Sequence, residues 1–163
     1  MKKTNGLVII MVLMMAGSLF GAPAYDSGYT IKDIAEKEWL LSEFTNAGRT
    51  VRMDRQKLTA DNMGNYFTLL IKESTAIGGG QISGMGAPNR YFAPFSDGSN
   101  RMLNVGLVAS TMMAAFREPD GLKEGEYFAF LSCIRRWDLK PNRLELYGLN
   151  SNGTEVILVF TQN

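Results

Sequence analysis

The residues that could do chemistry are few. Asp54, Asp61, Glu73 and Glu145 are the carboxylates that could form a general acid–base pair. None sits in a recognisable motif, and the better reading of each is a solvated surface carboxylate. The 163 residues contain no histidine, which removes Ser-His-Asp triads, Cys-His nucleophiles and His-based metal sites. The single cysteine, Cys133, excludes an internal disulfide and a Cys-cluster metal site. Its sequence position predicts the middle of a helix, as a small core residue or as a thiol for intermolecular pairing. Gly78-Gly79-Gly80 lacks the following Lys-Ser/Thr and the helix start of a phosphate cradle, and reads as a loop between strands. No catalytic residue, metal or cofactor is expected, and the chain reads as a non-enzyme.

Three further sets bear on binding. Arg49, Arg52, Arg55 and Lys57 form a local basic run, either a solvated hairpin or a peripheral contact with anionic lipid headgroups or an acidic partner. Trp39, Phe92, Phe95, Phe128, Phe130 and Trp137 are either ordinary core or the lining of a ligand cavity. Met112-Met113 reads as core in the same way. Asn89, Arg90 and Tyr91 are the candidate binding residues. They follow a corner, and Asn89 there either points outward for recognition or stabilises the turn.

That corner lies in the stretch from Ile82 to Phe116, which organises the chain. Gly84 and Gly86 permit backbone geometry that a Cβ resists, and Pro88 pushes Ala87 towards extended geometry. Tyr91, Ala93 and Phe95 then alternate with Phe92 and Pro94, as on a half-buried strand. Asp97-Gly98 signals a hairpin turn. Met102 to Val108 reads as the next strand, with Leu103, Val105 and Leu107 towards the core.

The other elements follow from the same rules. Thr30 caps a short helical turn that buries Ile31, Ile34 and Ala35. Trp39–Thr45, Arg49–Met53, Tyr66–Glu73, Arg143–Leu149 and Thr154–Thr161 read as strands. Asp54 to Asn65 reads as polar and irregular. Tyr127, Phe130, Leu131 and Ile134 recur with helical period, predicting a helix over Lys123 to Arg136. Many short strands with one substantial helix predict an α+β fold: a mostly antiparallel curled sheet or partial β-barrel with one main helix packed on it.

The N-terminus reads as an export signal over residues 1–24. Lys2 and Lys3 precede the apolar run Leu7 to Met15, and Ala22-Pro23-Ala24 supplies small residues for cleavage. The apolar run is shorter than the ~20 residues that span a bilayer, so cleavage is expected over anchoring. The processed chain is expected to be periplasmic or extracellular. It would comprise a lead segment over 25–30 and one domain over 31–163. Losing two lysines and no acid leaves 15 basic against 16 acidic residues. Such a chain has no bulk electrostatic attraction to nucleic acid.

The order of these pieces resembles a META domain, the family of the heat-shock protein HslJ. The shared features are Trp39-x-Leu41, Ser83-Gly84-x-Gly86-x-x-Asn89-Arg90, an aromatic strand, a hairpin, and Thr111-Met112-Met113-Ala114. The resemblance spans about Ile31 to Phe160. It implies the same curled sheet and a link to envelope stress. The family's usual cysteines at the corner and after Thr-x-Met are replaced by Ala87-Pro88 and Ala115, so any thiol role there is absent. The expected function is structural or protein-binding, in cell-envelope maintenance or stress response, with an unknown envelope protein as partner. The competing expectation is a carrier of a small apolar molecule or lipid, held on the concave face of the sheet.

Overall fold

A computed structural model describes residues 28–74, 78–114, 119 and 121–162. The predicted signal segment, and Ala115 with its neighbours to residue 118, lie outside the described residues. The elements are β1 (Glu38–Asn46), β2 (Arg49–Arg52), α1 (Arg55–Ala60), β3 (Thr68–Ser74), β4 (Gly79–Met85), β5 (Arg90–Gly98), β6 (Met102–Val105), β7 (Ala109–Ser110), α2 (Glu124–Ser132), β8 (Ile134–Lys140), β9 (Arg143–Leu149) and β10 (Glu155–Thr161).

All ten strands belong to one antiparallel sheet, and eight of them close a barrel. The ring runs β1-β3-β4-β5-β6-β8-β9-β10 and returns to β1, with β2 beside β1 and β7 beside β5. Closure, rather than the expected partial barrel, comes from β1. Its first three residues pair with β3, while Leu40 to Asn46 pair with β10 on the other edge. A bulge at Ser42 bends the strand between these two duties. Closure removes free edges, which an open curled sheet would leave to be covered.

The core is apolar and continuous. Trp39, Leu41, Leu69, Ile71, Ile82, Leu103, Leu146, Leu158 and Phe160 are buried inside the barrel wall. Helix α2 adds Tyr127, Phe130 and Leu131, packing Tyr127 on Phe67 and Tyr91, and Phe130 on Phe44. Trp39 closes the lower turn, its Nε1–H donating to the Ile34 carbonyl at 2.9 Å. The predicted turn after Thr30 is present as a 3-10 turn over Ile31–Asp33, and Ile31, Ile34 and Ala35 are buried.

Several elements differ from the sequence reading. The helix stops at Ser132, with Cys133 as its C-cap rather than its middle, and Arg135 and Arg136 begin a strand. Ile134 fits the helical period and the strand equally, and pairing with Gly148 of β9 decides it. Asp54 to Ala60 forms a capped helical turn, the Asp54 carboxylate accepting from the Lys57 amide at 2.9 Å. Gly79 and Gly80 lie in β4, where an added Cβ would strike the Phe95 and Lys72 carbonyls respectively. Asp97 and Gly98 extend β5, and the turn is made by Ser99–Arg101 instead.

β6 ends early for a legible reason. Gly106 donates to the Pro94 carbonyl at 2.8 Å, but Pro94 has no N–H to return. The ladder stops, the register slips by one residue, and β7 resumes pairing at Phe92↔Ala109 and Tyr91↔Ser110. Leu107, expected in the core, is left 86% exposed.

Candidate functional site

The corner between β4 and β5 is held by one carboxylate and one amide. Glu124, at the start of α2, accepts from the Ala87 amide at 2.5 Å and the Asn89 amide at 2.6 Å through Oε1. Its Oε2 accepts from Asn89 Nδ2 at 2.7 Å. Asn89 then reaches the segment after β7. Its Nδ2 also donates to the Met113 carbonyl at 3.0 Å, and its Oδ1 accepts from the Met113 amide at 2.6 Å and Thr111 Oγ1 at 2.8 Å. The orientation of the amide is unambiguous, since Glu124 only accepts and the Met113 N–H only donates. The Ala87–Pro88 peptide bond is cis.

This arrangement locates the three candidate residues. Asn89 is 5% exposed and faces inward, and Tyr91 is also buried. Arg90 alone of the three presents its side chain to solvent. The Tyr91 hydroxyl donates to the Thr68 carbonyl at 2.8 Å, which also accepts from Tyr127 at 3.0 Å. Burial pushes both phenols above their ordinary range, so they stay protonated donors. Gly84 makes room for this triad: a Cβ there would strike the Thr68 carbonyl.

Asn89 thus holds the segment after β7 through the Thr111 hydroxyl and the Met113 backbone, while the Met112 and Met113 side chains stay in water. Thr111 N donates to the Arg90 carbonyl at 3.0 Å, and Met113 N to Asn89. Met112 is 98% exposed, and Met113, Phe92 and Leu107 are also exposed. Met112 and Met113 are therefore surface residues, correcting their reading as core. Beside this ridge, a groove of about 420 Å³ runs over the outer wall of β3, β4 and β5, lined by Leu70, Gln81, Ser83, Met85, Arg90 and Phe92 among others.

The other predicted sets separate. Asp54 and Asp61 stand at the two ends of α1, and Glu73 is exposed on β3, so the structure does not gather these acids into one site. Glu145 is the exception to the solvated reading, with a side chain only 3% exposed. It accepts from Lys140 Nζ at 2.6 Å, from Arg143 Nε at 2.6 Å and from the Tyr147 hydroxyl. Burial pushes its carboxyl up, but these donors outweigh burial and hold it below the ordinary range. Burial and the same carboxylate push the Tyr147 phenol up to about 12. Among the described residues no group of three or more His, Cys, Asp or Glu side chains could hold a metal.

The basic run does not act as one patch. Arg55 turns inward and is half-buried, donating to the Tyr66 and Gly64 carbonyls at 2.9 and 2.5 Å. Arg52 pairs with Glu43 at 3.1 Å on an exposed hairpin. The aromatic set divides too: Trp39, Phe95, Phe130 and Trp137 are core, whereas Phe92 is exposed. Cys133 donates through Sγ to the Phe130 carbonyl at 3.0 Å, and burial pushes its thiol up.

The model of the META domain family matches residues 32–163. The chain belongs to the META domain family. Two solved structures share the META fold seen here. One is the NMR structure of a protein from Burkholderia xenovorans, 24% identical, with a TM-score of 0.56, covering 81% of this chain and 85% of that one. The other is a DUF4847 family protein from Bacteroides vulgatus, 13% identical, with a TM-score of 0.53, covering 82% and 98%. A comparison with curated proteins finds no match. In this META domain the residue that sequence reasoning missed is Glu124. Its helix was legible, but nothing local marked its carboxylate as the partner of a corner 35 residues away.

Proposed function

We propose that this META domain is a non-enzymatic protein-binding module. It is exported through its N-terminal signal and serves cell-envelope maintenance or a stress response. The supporting observation is the ridge of Met112 and Met113: apolar side chains left exposed on a segment that Asn89 ties to β5, with Leu107 also exposed on the stretch before β7. An apolar segment that only needed burial would fold inward, whereas a clamped and exposed one is available to a partner. Next to it, Phe92, Met85 and Leu70 continue the apolar surface into the groove, and Arg90 supplies one charge. The partner that fits is an envelope polypeptide with apolar side chains and an acidic group for Arg90. The carrier alternative finds less support, because the barrel interior is occupied by core side chains.

A photo-crosslinking residue at position 112 tests this in cells exporting the full chain. A discrete adduct with a second polypeptide is expected from 112 and none from position 152, exposed in the turn between β9 and β10. Equal adduct patterns at both positions would contradict the proposal.

A further inference from the structure

A second surface lies on the opposite side of the barrel. In the eight-strand ring, β9 stands four strands from β4. The outward residues of β8 and β9 pair as Arg136↔Tyr147, Asp138↔Glu145 and Lys140↔Arg143. The two acids sit in the middle and are largely covered. Asp138 is neutralised by Arg101, and Glu145 lies beneath Lys140 and Arg143. The cations stay outside: Lys140 and Arg143 are about half-exposed, and Arg136 is exposed. A bulge between Ile134 and Arg136 brings Arg135 to the surface as well. The Arg136 guanidinium lies 4.2 Å from the centre of the Tyr147 ring. After Glu145 cancels one cation and the exposed Glu155 offsets another, two positive charges remain on this face.

The charge is local, because the whole chain has a formal net charge of only +1. Two exposed apolar side chains stand within the face, Met102 opposite Arg136 and Leu149 two residues beyond Tyr147. Glu155, opposite Leu149, is an acid at the rim. We propose that this face docks the protein on an anionic phospholipid bilayer. Headgroup phosphates would take the guanidinium and ammonium groups, while Leu149 and Met102 enter the interfacial layer. A nucleic-acid backbone offers those two apolar side chains no counterpart. This inference is independent of the groove over β3, β4 and β5, which lies across the barrel.

Each basic residue near an anionic bilayer raises partitioning about fivefold, so two net charges give about 25-fold. The test is co-sedimentation of the full chain with vesicles of 30% phosphatidylglycerol in phosphatidylcholine, against pure phosphatidylcholine. Any contribution of residues 1–24 is common to every variant. Binding should favour the anionic vesicles and weaken steeply between 0.1 and 0.5 M salt. Arg135→Gln with Arg136→Gln should lower partitioning at least tenfold with an unchanged circular dichroism spectrum. Leu149→Ser, at an exposed strand end, should lower it severalfold, and Arg49→Gln with Arg52→Gln should leave it unchanged. Equal partitioning on the two vesicle types would overturn the proposal. So would loss through Arg49 and Arg52 instead, or salt-sensitive binding to duplex DNA or heparin without vesicle binding.

Discussion

Replacing Asn89 probes the corner most sharply. The side chain makes four hydrogen bonds, of which one reaches a carboxylate. A neutral bond contributes about 1 kcal/mol net and one to a charged group about 1.5–3 kcal/mol. The sum overstates the loss, because Thr111 and Met113 lie at the surface and can turn to water. Glu124 also keeps the two backbone donors of Ala87 and Asn89. Asn89→Ala should therefore cost about 2–4 kcal/mol in urea unfolding. Asn89→Asp is the stricter variant. It keeps the oxygen facing the Met113 amide but sets a second carboxylate against Glu124. It should be at least about 1 kcal/mol worse than Asn89→Ala at pH 7, since like charges at this range repel strongly. Crowding of the two carboxylates raises the folded pKa, so the deficit should shrink as pH falls and one of them protonates. A cost below about 0.5 kcal/mol for Asn89→Ala, or identical curves for Ala and Asp across pH, would refute the clamp.

The remaining predictions concern the core and the two perturbed groups. Trp39→Ala should cost about 3–5 kcal/mol, because the indole is buried and its N–H is bonded; a denaturant midpoint shift worth under 1 kcal/mol would contradict this. Its donors hold the Glu145 carboxyl below the ordinary carboxylate range in the folded protein, so it stabilises the protein above that range, and the contribution is lost as pH falls through the lower folded value. Glu145→Gln should accordingly flatten the melting temperature against pH on the acid side, and parallel curves would count against the ion cluster. Burial pushes the Cys133 thiol up, so native alkylation by iodoacetamide at pH 8 should run slower than in urea; equal rates would place the thiol in open solvent.

How much of this was legible in the sequence depended on how local the cause was. The faces of β5 were readable because Tyr91, Ala93 and Phe95 repeat every two residues, and burial follows that period. The early end of β6 was not, since it depends on Pro94 in the neighbouring strand having no N–H. The helical period runs past the true end at Ser132 because Ile134 satisfies both periods. Glu145 does sit among the outward residues of β9, as alternation implies. It is buried by the long side chains of Lys140 and Arg143 rather than by the core. The corner's glycines and Asn89 stood out by residue type, whereas Glu124 and the exposure of Met112 required the tertiary fold. Period reveals a face, but contacts between distant segments decide which polar groups meet.

Native mass spectrometry of the protein purified from the envelope fraction tests the binding-module reading most directly. The account predicts a complex in which the chain carries a second polypeptide, released when Met112 and Met113 are replaced by lysine. A chain carrying a retained small molecule of fixed mass in place of a polypeptide would contradict it and establish the carrier instead.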